Sequence, residues 1–472
     1  MARGHLHGAD SPSTLAEQGV TRAMGKLFGT DGIRGVANKY PMTSEMALKI
    51  GRATAHLFKP QGHKARIIIG KDTRISGYML EYALVSGICS VGADAFLAGT
   101  LPTPGVGFIT RNMHLDAGIM ISASHNPFQD NGIKIFKGDG FKLSDEMELE
   151  LEQLILENDM LPLPASKQVP GKVHKVQDAG DRYMVFLKDV FAKHGSMHGM
   201  NIILDCANGA TFRVAPSTFV SLGARVKTLS AEPDGKNINA DCGSEYPERL
   251  AEQVVRDKAD VGFAFDGDGD RVTTVDETGE VLTGEQILSI CVKVMKDEGR
   301  LANNVVVSTV MSNIGLGLAL KGLGIEHVTT KVGDRYVLKE MLARGACIGG
   351  EGSGHMIFLE HHTTGDGIVT ALSVVSAMKK AARPLSELAK LVKVFPQRLI
   401  NVGVKDKPSI ETVPEIVAAI EHVEKILGDV GRVLVRYSGT QPMCRVMVEG
   451  PTHEETERYC REIAGVVREK LG

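Results

Sequence analysis

No stretch of the chain approaches the roughly 18 consecutive apolar residues that a membrane span needs, and the first 25 residues hold no apolar run of signal-peptide length. The expectation is a soluble, cytoplasmic protein with no membrane partner, and with residues 1–25 as a flexible N-terminal extension. Nor does one sign of charge dominate: 54 Lys and Arg against 57 Asp and Glu leave a formal net charge of -3. That balance gives no general attraction to nucleic acid, so any anion must be gripped by local basic groups. Cysteine is sparse: seven residues lie far apart, with no CxxC pair and no histidine cluster at zinc spacing. They read as reduced, mostly buried thiols of an intracellular protein. Low-complexity tracts and coiled-coil repeats are also missing. What remains is ordinary globular composition, 43% hydrophobic and 24% charged over 472 residues, enough for several domains.

Three segments repeat one grammar: a short apolar strand, a polar loop, an amphipathic helix, then a turn glycine and another strand. They run from Ala65 to Gly99, from Met200 to Ser230 and from Asn303 to Gly333, with the last residue of the first strand and the turn glycine at Ile69 and Gly92, Leu204 and Gly223, and Val307 and Gly324. Each leaves room for one helix packed back across a sheet, so mixed or parallel sheets covered on both faces are expected. The tail breaks the rhythm: RLINVGV, a helix from about Glu411 to Leu427, GRVLVRYS, CRVMVEG and a last helix from Thr452 to Leu471. Strands that pair without crossover helices suggest a small α+β domain. The fold class is therefore α/β, three related mixed-sheet domains plus a C-terminal α+β domain, divided as 26–168, 169–276, 277–388 and 389–472.

In VGFAFDGDGDRVTTVDETG an apolar strand, Val261 to Phe265, ends in Asp266-Gly267-Asp268-Gly269-Asp270-Arg271. Alternate glycines let the backbone bend so that three carboxylates converge, and crowded carboxylates call for a hard cation such as Mg²⁺ or Ca²⁺. Competing readings are an EF-hand loop, an Asp-nucleophile phosphatase and a plain acidic hairpin turn. Arg271 at the EF-hand's glycine position, and strand-like flanks, count against the first.

In AGIMISASHNPFQDNGIKIF a buried strand, Ala117 to Ile121, runs into Ser122-Ala123-Ser124-His125-Asn126-Pro127. A serine at the C-terminal end of an α/β strand holds a ligand-facing position, and loop curvature can present its hydroxyl openly. His125 and Lys134 are nearby candidates for moving protons or binding phosphate. The bland alternative is an Asn-Pro turn whose serines bond their own backbone. FGTDGIRG and KDTRISG (Lys71 to Gly77) each have the elements of an anion-binding turn, Arg34 being the stronger candidate. RYSGTQPMCR offers Arg436, Ser438, Gly439, Thr440 and Arg445 as a phosphate cradle, or else a polar hairpin loop. GGEGSGH sets Glu351, Ser353 and His355 in a glycine-rich loop able to read sugar hydroxyls and exchange a proton, whereas TTGDG (Thr363 to Gly367) reads as a helix start.

Taken together and in this order, SASHNP, DGDGDR, GEGSGH and RYSGT resemble the alpha-D-phosphohexomutase superfamily. GTDGIRG, KDTRISGYMLE, DNGIKIF, DCANGA and KVGDRY resemble its bacterial phosphoglucosamine mutase branch. The resemblance runs from about Lys26 to the C-terminus. It implies four domains around a central cleft that collects one loop from each. It implies that Ser124 is a phosphoserine whose phosphate joins Asp266, Asp268 and Asp270 around one Mg²⁺. Arg34, Lys134 and Arg271 match residues near the transferred group; Glu351, Ser353 and Lys331 match the sugar-facing loops; His355 matches a supporting histidine. Arg436, Ser438, Gly439, Thr440 and Arg445 match the loop that holds the non-reacting phosphate.

By that resemblance the substrate is a hexosamine phosphate, glucosamine 6-phosphate interconverting with the 1-phosphate through a bisphosphate. A hexose 1,6-bisphosphate is the candidate activator, and a homodimer is left open as the assembly. The alternatives are the same chemistry on mannose or glucose phosphates, or a binder with weak catalysis. Two positions depart from the pattern: Gly352 stands where this branch commonly has asparagine, and Gln441 replaces a glutamate. Closure by a hinge near Ala382 to Pro396 is also expected.

Overall fold

The computed structural model describes residues 27–29, 31–156, 169–438 and 442–472. The expected N-terminal extension lies outside them, as do Gly439, Thr440 and Gln441 of the cradle loop.

The first unit consists of β1 (Ile33–Val36), α1 (Ser44–Leu57), β2 (Arg66–Lys71), α2 (Ser76–Ser90), β3 (Asp94–Thr100), α3 (Thr103–Asn112), β4 (Ala117–Ile121), β5 (Asp130–Lys137), α4 (Asp145–Leu156) and β6 (Val173–Lys175). The second runs α5 (Ala179–Phe191), β7 (Asn201–Asp205), α6 (Val214–Ser221), β8 (Arg225–Leu229), α7 (Glu248–Asp257), β9 (Val261–Phe265), β10 (Val272–Asp276) and β11 (Val281–Leu282). The third runs α8 (Gly284–Asp297), β12 (Val305–Thr309), α9 (Ile314–Gly322), β13 (Glu326–Thr330), α10 (Asp334–Arg344), β14 (Ile348–Gly350), β15 (Met356–Phe358), α11 (Gly367–Ala381) and α12 (Leu385–Ala389). The last comprises β16 (Gln397–Gly403), α13 (Pro414–Leu427), β17 (Arg432–Tyr437), β18 (Met443–Glu449) and α14 (His453–Leu471).

Behind the repeated sequence grammar stands one topology. The sheet orders β5-β4-β2-β3, β10-β9-β7-β8 and β15-β14-β12-β13 are the same arrangement, in which three strands run parallel and the fourth returns antiparallel beside the third. The first sheet adds β1 and β6 at its edges; β6 lies beyond residue 168 yet pairs with β3. The last sheet, β16-β18-β17, is wholly antiparallel with α13 and α14 packed on it.

This arrangement places the chemistry. SASHNP joins β4 to β5, DGDGDR joins β9 to β10, and the loop from Glu351 to His355 joins β14 to β15, so each sits at the same connection of its unit. Strands of the type AGIMI and VGFAF are apolar on both faces because helices cover both sides of the sheet, and every residue of β4 and β9 is buried. The connections at their ends are therefore the first polar backbone the chain can offer to a ligand.

One contiguous core draws on Ile68 of β2, Leu204 of β7, Val306 of β12 and Val374 of α11, so the first three units pack as one body, whereas the C-terminal unit has its own core. Asp366 starts α11 by accepting from the amides of Ile368 and Val369, as TTGDG predicts, and its other oxygen accepts from the buried Tyr183 hydroxyl at 2.7 Å. The helix expected from about Glu411 begins at Pro414, whose ring fits a first turn, and Ile410–Thr412 forms a separate short turn. The expected hinge stretch is more anchored than a linker: Leu385, Ala389, Val392 and Phe395 are buried, and the Asn313 side chain bonds both backbone groups of Phe395. The crossing into the last unit thus narrows to the residues after Phe395. Among the described residues, no helix is long and apolar enough to cross a membrane.

Candidate active site

Ser124 adopts a left-handed backbone conformation, φ 54°, which costs a non-glycine residue about 1–3 kcal/mol and persists only where neighbours impose it. Arg74, Asn239 and Ser122 impose it. The fully buried Arg74 guanidinium donates to Asp72 Oδ2 and to the carbonyls of Ser124, Asn126, Pro127 and Asp130, which uses every N–H it has. Asn239 Nδ2 of the second unit donates to the same Ser124 carbonyl at 2.9 Å, and Ser122 Oγ accepts from the Ser124 amide at 2.9 Å. This corrects the reading of KDTRISG as an anion-binding turn: Arg74 has no donor left for a ligand and acts as the clamp of the serine loop.

The Ser124 hydroxyl is not open to solvent but donates to Asp266 Oδ2 at 2.5 Å, and the residue is only 1% exposed. Asp266, Asp268 and Asp270 are buried together, with one oxygen of each within 4.8 Å of the others. Gly267 makes this approach possible, because a Cβ there would lie 2.6 Å from the Ser124 carbonyl oxygen. Burial, followed by the charges of Asp270 and Asp268, raises the Asp266 carboxyl well above its ordinary range. Burial would raise Asp270 too, but Lys134, His355 and Arg271 outweigh it and hold Asp270 well below. Oδ1 of Asp268 and Oδ1 of Asp270 are buried without a hydrogen-bond partner. An all-oxygen set with two orphaned carboxylate atoms suits a hard divalent cation.

The cations around this cluster are ordered in a chain. Lys134 Nζ lies 2.8 Å from Asp268 Oδ2, 3.1 Å from Asp270 Oδ2 and 3.0 Å from Asp31 Oδ2. Burial opposes its charge, yet the three carboxylates raise Lys134 well above the usual lysine range, so it is an ammonium here. Lys142 then bridges Asp31, at 2.5 Å, to Asp334 of the third unit, at 2.6 Å. Arg34 Nη2 also pairs with Asp31. His355 accepts from the Gly365 amide at Nε2, which leaves its proton on Nδ1, 3.7 Å from Asp270 Oδ1. His125 Nδ1 stands 3.4 Å from Ser124 Oγ; burial and then Arg271 lower its affinity for a proton.

These groups open on a cleft of about 1130 Å³. Arg34 and His125 line it from the first unit, Glu245 and Arg271 from the second, Glu351, Ser353 and His355 from the third, and Gln397 from the last. Lys331 is exposed at the end of β13 and is not in the lining; Val332, Gly333 and Asp334 after it are. Arg436 and Arg445 are register partners on β17 and β18, so two guanidiniums share one face of the hairpin. Burial, and then Arg445, lowers Arg436, and Arg445 Nε is buried without a partner, which is the situation an anion relieves. Lys407 Nζ donates to the Ser438 carbonyl at 2.8 Å and adds a third cation beside them.

Four profiles of the phosphoglucomutase/phosphomannomutase family tile the chain: alpha/beta/alpha domain I over residues 25–161, domain II over 181–279, domain III over 283–395, and the C-terminal domain over 399–466. The phosphoglucosamine mutase of Syntrophus aciditrophicus (strain SB) is 65% identical over 449 residues, covering 95% of this chain and 100% of that one. The chain belongs to the bacterial phosphoglucosamine mutases. Among solved structures, a phosphoglucomutase/phosphomannomutase family protein of Burkholderia thailandensis superposes with a TM-score of 0.77 at 22% identity, covering 94% of this chain and 98% of that one. Aspergillus fumigatus N-acetylphosphoglucosamine mutase, solved in complex with GlcNAc-6P and magnesium, superposes with a TM-score of 0.67 at 18% identity, covering 95% and 96%. Both share the fold.

Within this family site, several residues escape a sequence reading. Asp31 and Lys142, with Asp334, carry the charge chain from the metal cluster to the third unit. Arg335 adds ion pairs to Asp145 and Glu148, each at 2.7 Å, across the same boundary. Thr103 Oγ1 donates to Asp268 Oδ2 at 2.5 Å. Only Asp31 had a local signal, in the same turn as Arg34; the others are brought in by topology.

Proposed function

We propose that this mutase interconverts glucosamine 6-phosphate and glucosamine 1-phosphate through phosphorylated Ser124 and a 1,6-bisphosphate intermediate. The observation that carries the reading is the Ser124 hydroxyl held on Asp266, inside a buried carboxylate triad whose Asp270, with the neighbouring His125, lines a cleft that all four units share. Asp266, Asp268 and Asp270 would hold a Mg²⁺ ion, which supplies charge neutralisation for phosphoryl transfer when bound. The rest falls to the chain. The P–O bond to Ser124 breaks as a bond to the free sugar hydroxyl forms, and Ser124 Oγ is left as an alkoxide until the reverse transfer or a proton quenches it. The sugar hydroxyl gives up its proton; His125, at 3.4 Å from Ser124 Oγ, is placed to receive it. Lys134, beside Asp268 and Asp270, is placed to screen the transferring phosphoryl group and to move a proton. Arg34 and Arg271 line the cleft beside them and meet the reacting phosphate.

The bisphosphate must then turn end for end, which requires a remote site indifferent to which phosphate it holds. Arg436, Arg445 and Ser438, with Gly439 and Thr440 completing the loop, are the proposed cradle, and Glu351 and Ser353 read the sugar ring between the two ends. A hexose 1,6-bisphosphate would prime Ser124. The seven free thiols suit a reducing cytoplasm. A coupled assay on glucosamine, glucose and mannose phosphates tests the reading: preference for the amino sugar, abolished in S124A, is expected. Preference for glucose or mannose phosphate would reassign the substrate, and release of inorganic phosphate in step with substrate loss would reassign the reaction.

A further inference from the structure

Gly352 leaves the sugar-facing loop without a side chain at the position flanked by Glu351 and Ser353. The structure shows what stands in its place. A Cβ at Gly352 would lie 2.6 Å from Oε1 of Glu285 and 3.3 Å from its carboxyl carbon. The backbone leaves no slack to avoid this: a Cβ at the neighbouring Gly284 would lie 2.7 Å from the carbonyl oxygens of both Glu351 and Gly352. The first turn of α8, fixed by the capping box of Thr283 and Gln286, is therefore pressed against the loop, with the Glu285 carboxylate over the bare glycine.

Glu285 is a poor candidate for a merely structural carboxylate. It is 6% exposed and lines the same cleft as Glu351, Ser353 and Arg271. Its Oε1 accepts from the Asn313 amide at 3.1 Å, which fixes its orientation. Asn313 in turn is held by the Phe395 backbone. Among the described residues no cation pairs with Glu285, although burying a carboxylate without one is costly. Its acidic neighbour Glu449 does have a cation, Arg432, at 3.0 Å.

We propose that Glu285 is a specificity-determining residue that takes over the loop function vacated at Gly352, its carboxylate receiving the ammonium group of the hexosamine phosphate in the cleft. This rests on the amino-sugar reading above and deepens it. A carboxylate gains more from an ammonium than from a neutral hydroxyl, so the pair discriminates amino sugars from glucose and mannose phosphates. Arg34 and Arg271 line the same cleft and are the cations that would hold the phosphate, and Glu351 already lies within the field of Arg271, which leaves the Glu285 carboxylate to the cationic part of the substrate.

The test compares kcat/KM for glucosamine 1-phosphate and glucose 1-phosphate in the Mg²⁺-loaded full chain and in E285Q, which keeps the shape and the Asn313 hydrogen bond but removes the charge. E285Q is expected to lose roughly tenfold to a hundredfold on the amino sugar, chiefly in KM, as for removal of a charged hydrogen bond, with glucose 1-phosphate nearly unaffected. Priming of Ser124 by glucose 1,6-bisphosphate, read by intact mass, should match the wild type and report an intact site. E285D, which shortens the carboxylate and keeps its charge, should retain the sugar preference at a higher KM. Equal losses on both sugars in either variant would overturn the proposal in favour of a structural role. A wild-type preference for the amino sugar that survives E285Q unchanged would overturn it alone. A wild type that prefers glucose 1-phosphate would overturn the functional reading and the proposal with it.

Discussion

Replacing Arg74 by lysine isolates the clamp that sets the serine loop. The charge beside Asp72 survives, at 2.8 Å in the native pair, but three ammonium protons cannot serve five acceptors. At least two of the carbonyls of Ser124, Asn126, Pro127 and Asp130 then lose a hydrogen bond, although Asn239 Nδ2 still serves Ser124 and Asn126 and the Asp130 amide still serves Pro127. Each lost hydrogen bond costs about 0.5–1.5 kcal/mol, so the loss is about 1–3 kcal/mol. Because the first three units share one core, that lowers their common melting temperature by on the order of a few degrees. The catalytic consequence is separate. The Ser124 carbonyl retains Asn239 alone as a donor, so the left-handed conformation at φ 54° is less firmly imposed. If the strain of about 1–3 kcal/mol is released, phosphoserine formation slows by about tenfold to a hundredfold. Scanning calorimetry reads the first effect, and a time course of Ser124 phosphorylation by a hexose 1,6-bisphosphate, followed by intact mass, reads the second. R74K with native melting and native phosphorylation kinetics would refute the clamp and restore Arg74 to the anion-binding role that its motif suggested.

Four further outcomes are expected. G267A sets a Cβ 2.6 Å from the Ser124 carbonyl oxygen and 2.8 Å from Asn239 Nδ2; the overpacking costs about 1–3 kcal/mol and pushes the serine and metal loops apart, so titration calorimetry should show weakened Mg²⁺ binding. Mg²⁺ at a hundredfold its Kd should stabilise the native chain by about 2.7 kcal/mol, and EDTA or D268N should abolish that gain in thermal melts. R445A removes one of the two facing guanidiniums and should raise KM for the sugar phosphate and, because the same cradle would hold the far phosphate of a bisphosphate, slow priming of Ser124 at subsaturating bisphosphate; steady-state kinetics and the mass assay read the two. The fourth concerns acid. Burial, followed by Arg432, lowers His327 to about 4, with Nε2 at 2.7 Å from Ser308 Oγ. Its folded value lies below the unfolded one, so its contribution is full above about pH 6.5 and is lost as pH falls toward 4. The limit is roughly 3 kcal/mol. Urea midpoints measured across that range should fall less steeply for H327N than for the wild type.

How much of this was legible in the sequence depends on whether a feature is local. β4 and β9 are read correctly to the residue because both faces are apolar and the polar residue that follows, Ser122 or Asp266, stops them. Asp266, Asp268 and Asp270 announce a cation because their repulsion is built into six consecutive residues. Arg74 misleads for the same reason: Lys71 to Gly77 has the composition of an anion cradle, and nothing within that stretch reveals the carbonyls some fifty residues away that consume its donors. Ser124 misleads more mildly. The loop curvature was expected to expose its hydroxyl, whereas the aspartate that accepts it comes from the neighbouring unit.

The Lys134–Asp31–Lys142–Asp334 pairing is not legible in the sequence, although Lys134 and Asp31 each carry a local signal, since its members come from a strand, two loops and the start of a helix in two units. Its effect is nonetheless tied to the repeated topology. Because β4–β5, β9–β10 and β14–β15 are the same connection in three copies of one sheet, packing the copies around one core brings all three connections to one place. Charges carried near those connections then have to be reconciled with one another. The carboxylates of the second copy need cations, and Lys134 on β5 of the first copy supplies one; Lys134 needs more anionic company than the triad gives it, and Asp31 supplies that; Lys142 and Asp334 then extend the pairing to the loop that precedes α10 in the third copy. Breaking the chain in the middle should therefore act at a distance. D31N leaves every proposed metal ligand in place but removes the shared partner of Lys134, Lys142 and Arg34; Lys134 keeps Asp268 and Asp270 and Lys142 keeps Asp334, so Arg34, which lines the cleft, is the cation left without its ion-pair carboxylate. Substrate phosphate would bind more tightly and leave more slowly, so KM and kcat should fall together, an outcome opposite in KM to that of R445A. Unchanged KM in D31N would show that the chain is only structural.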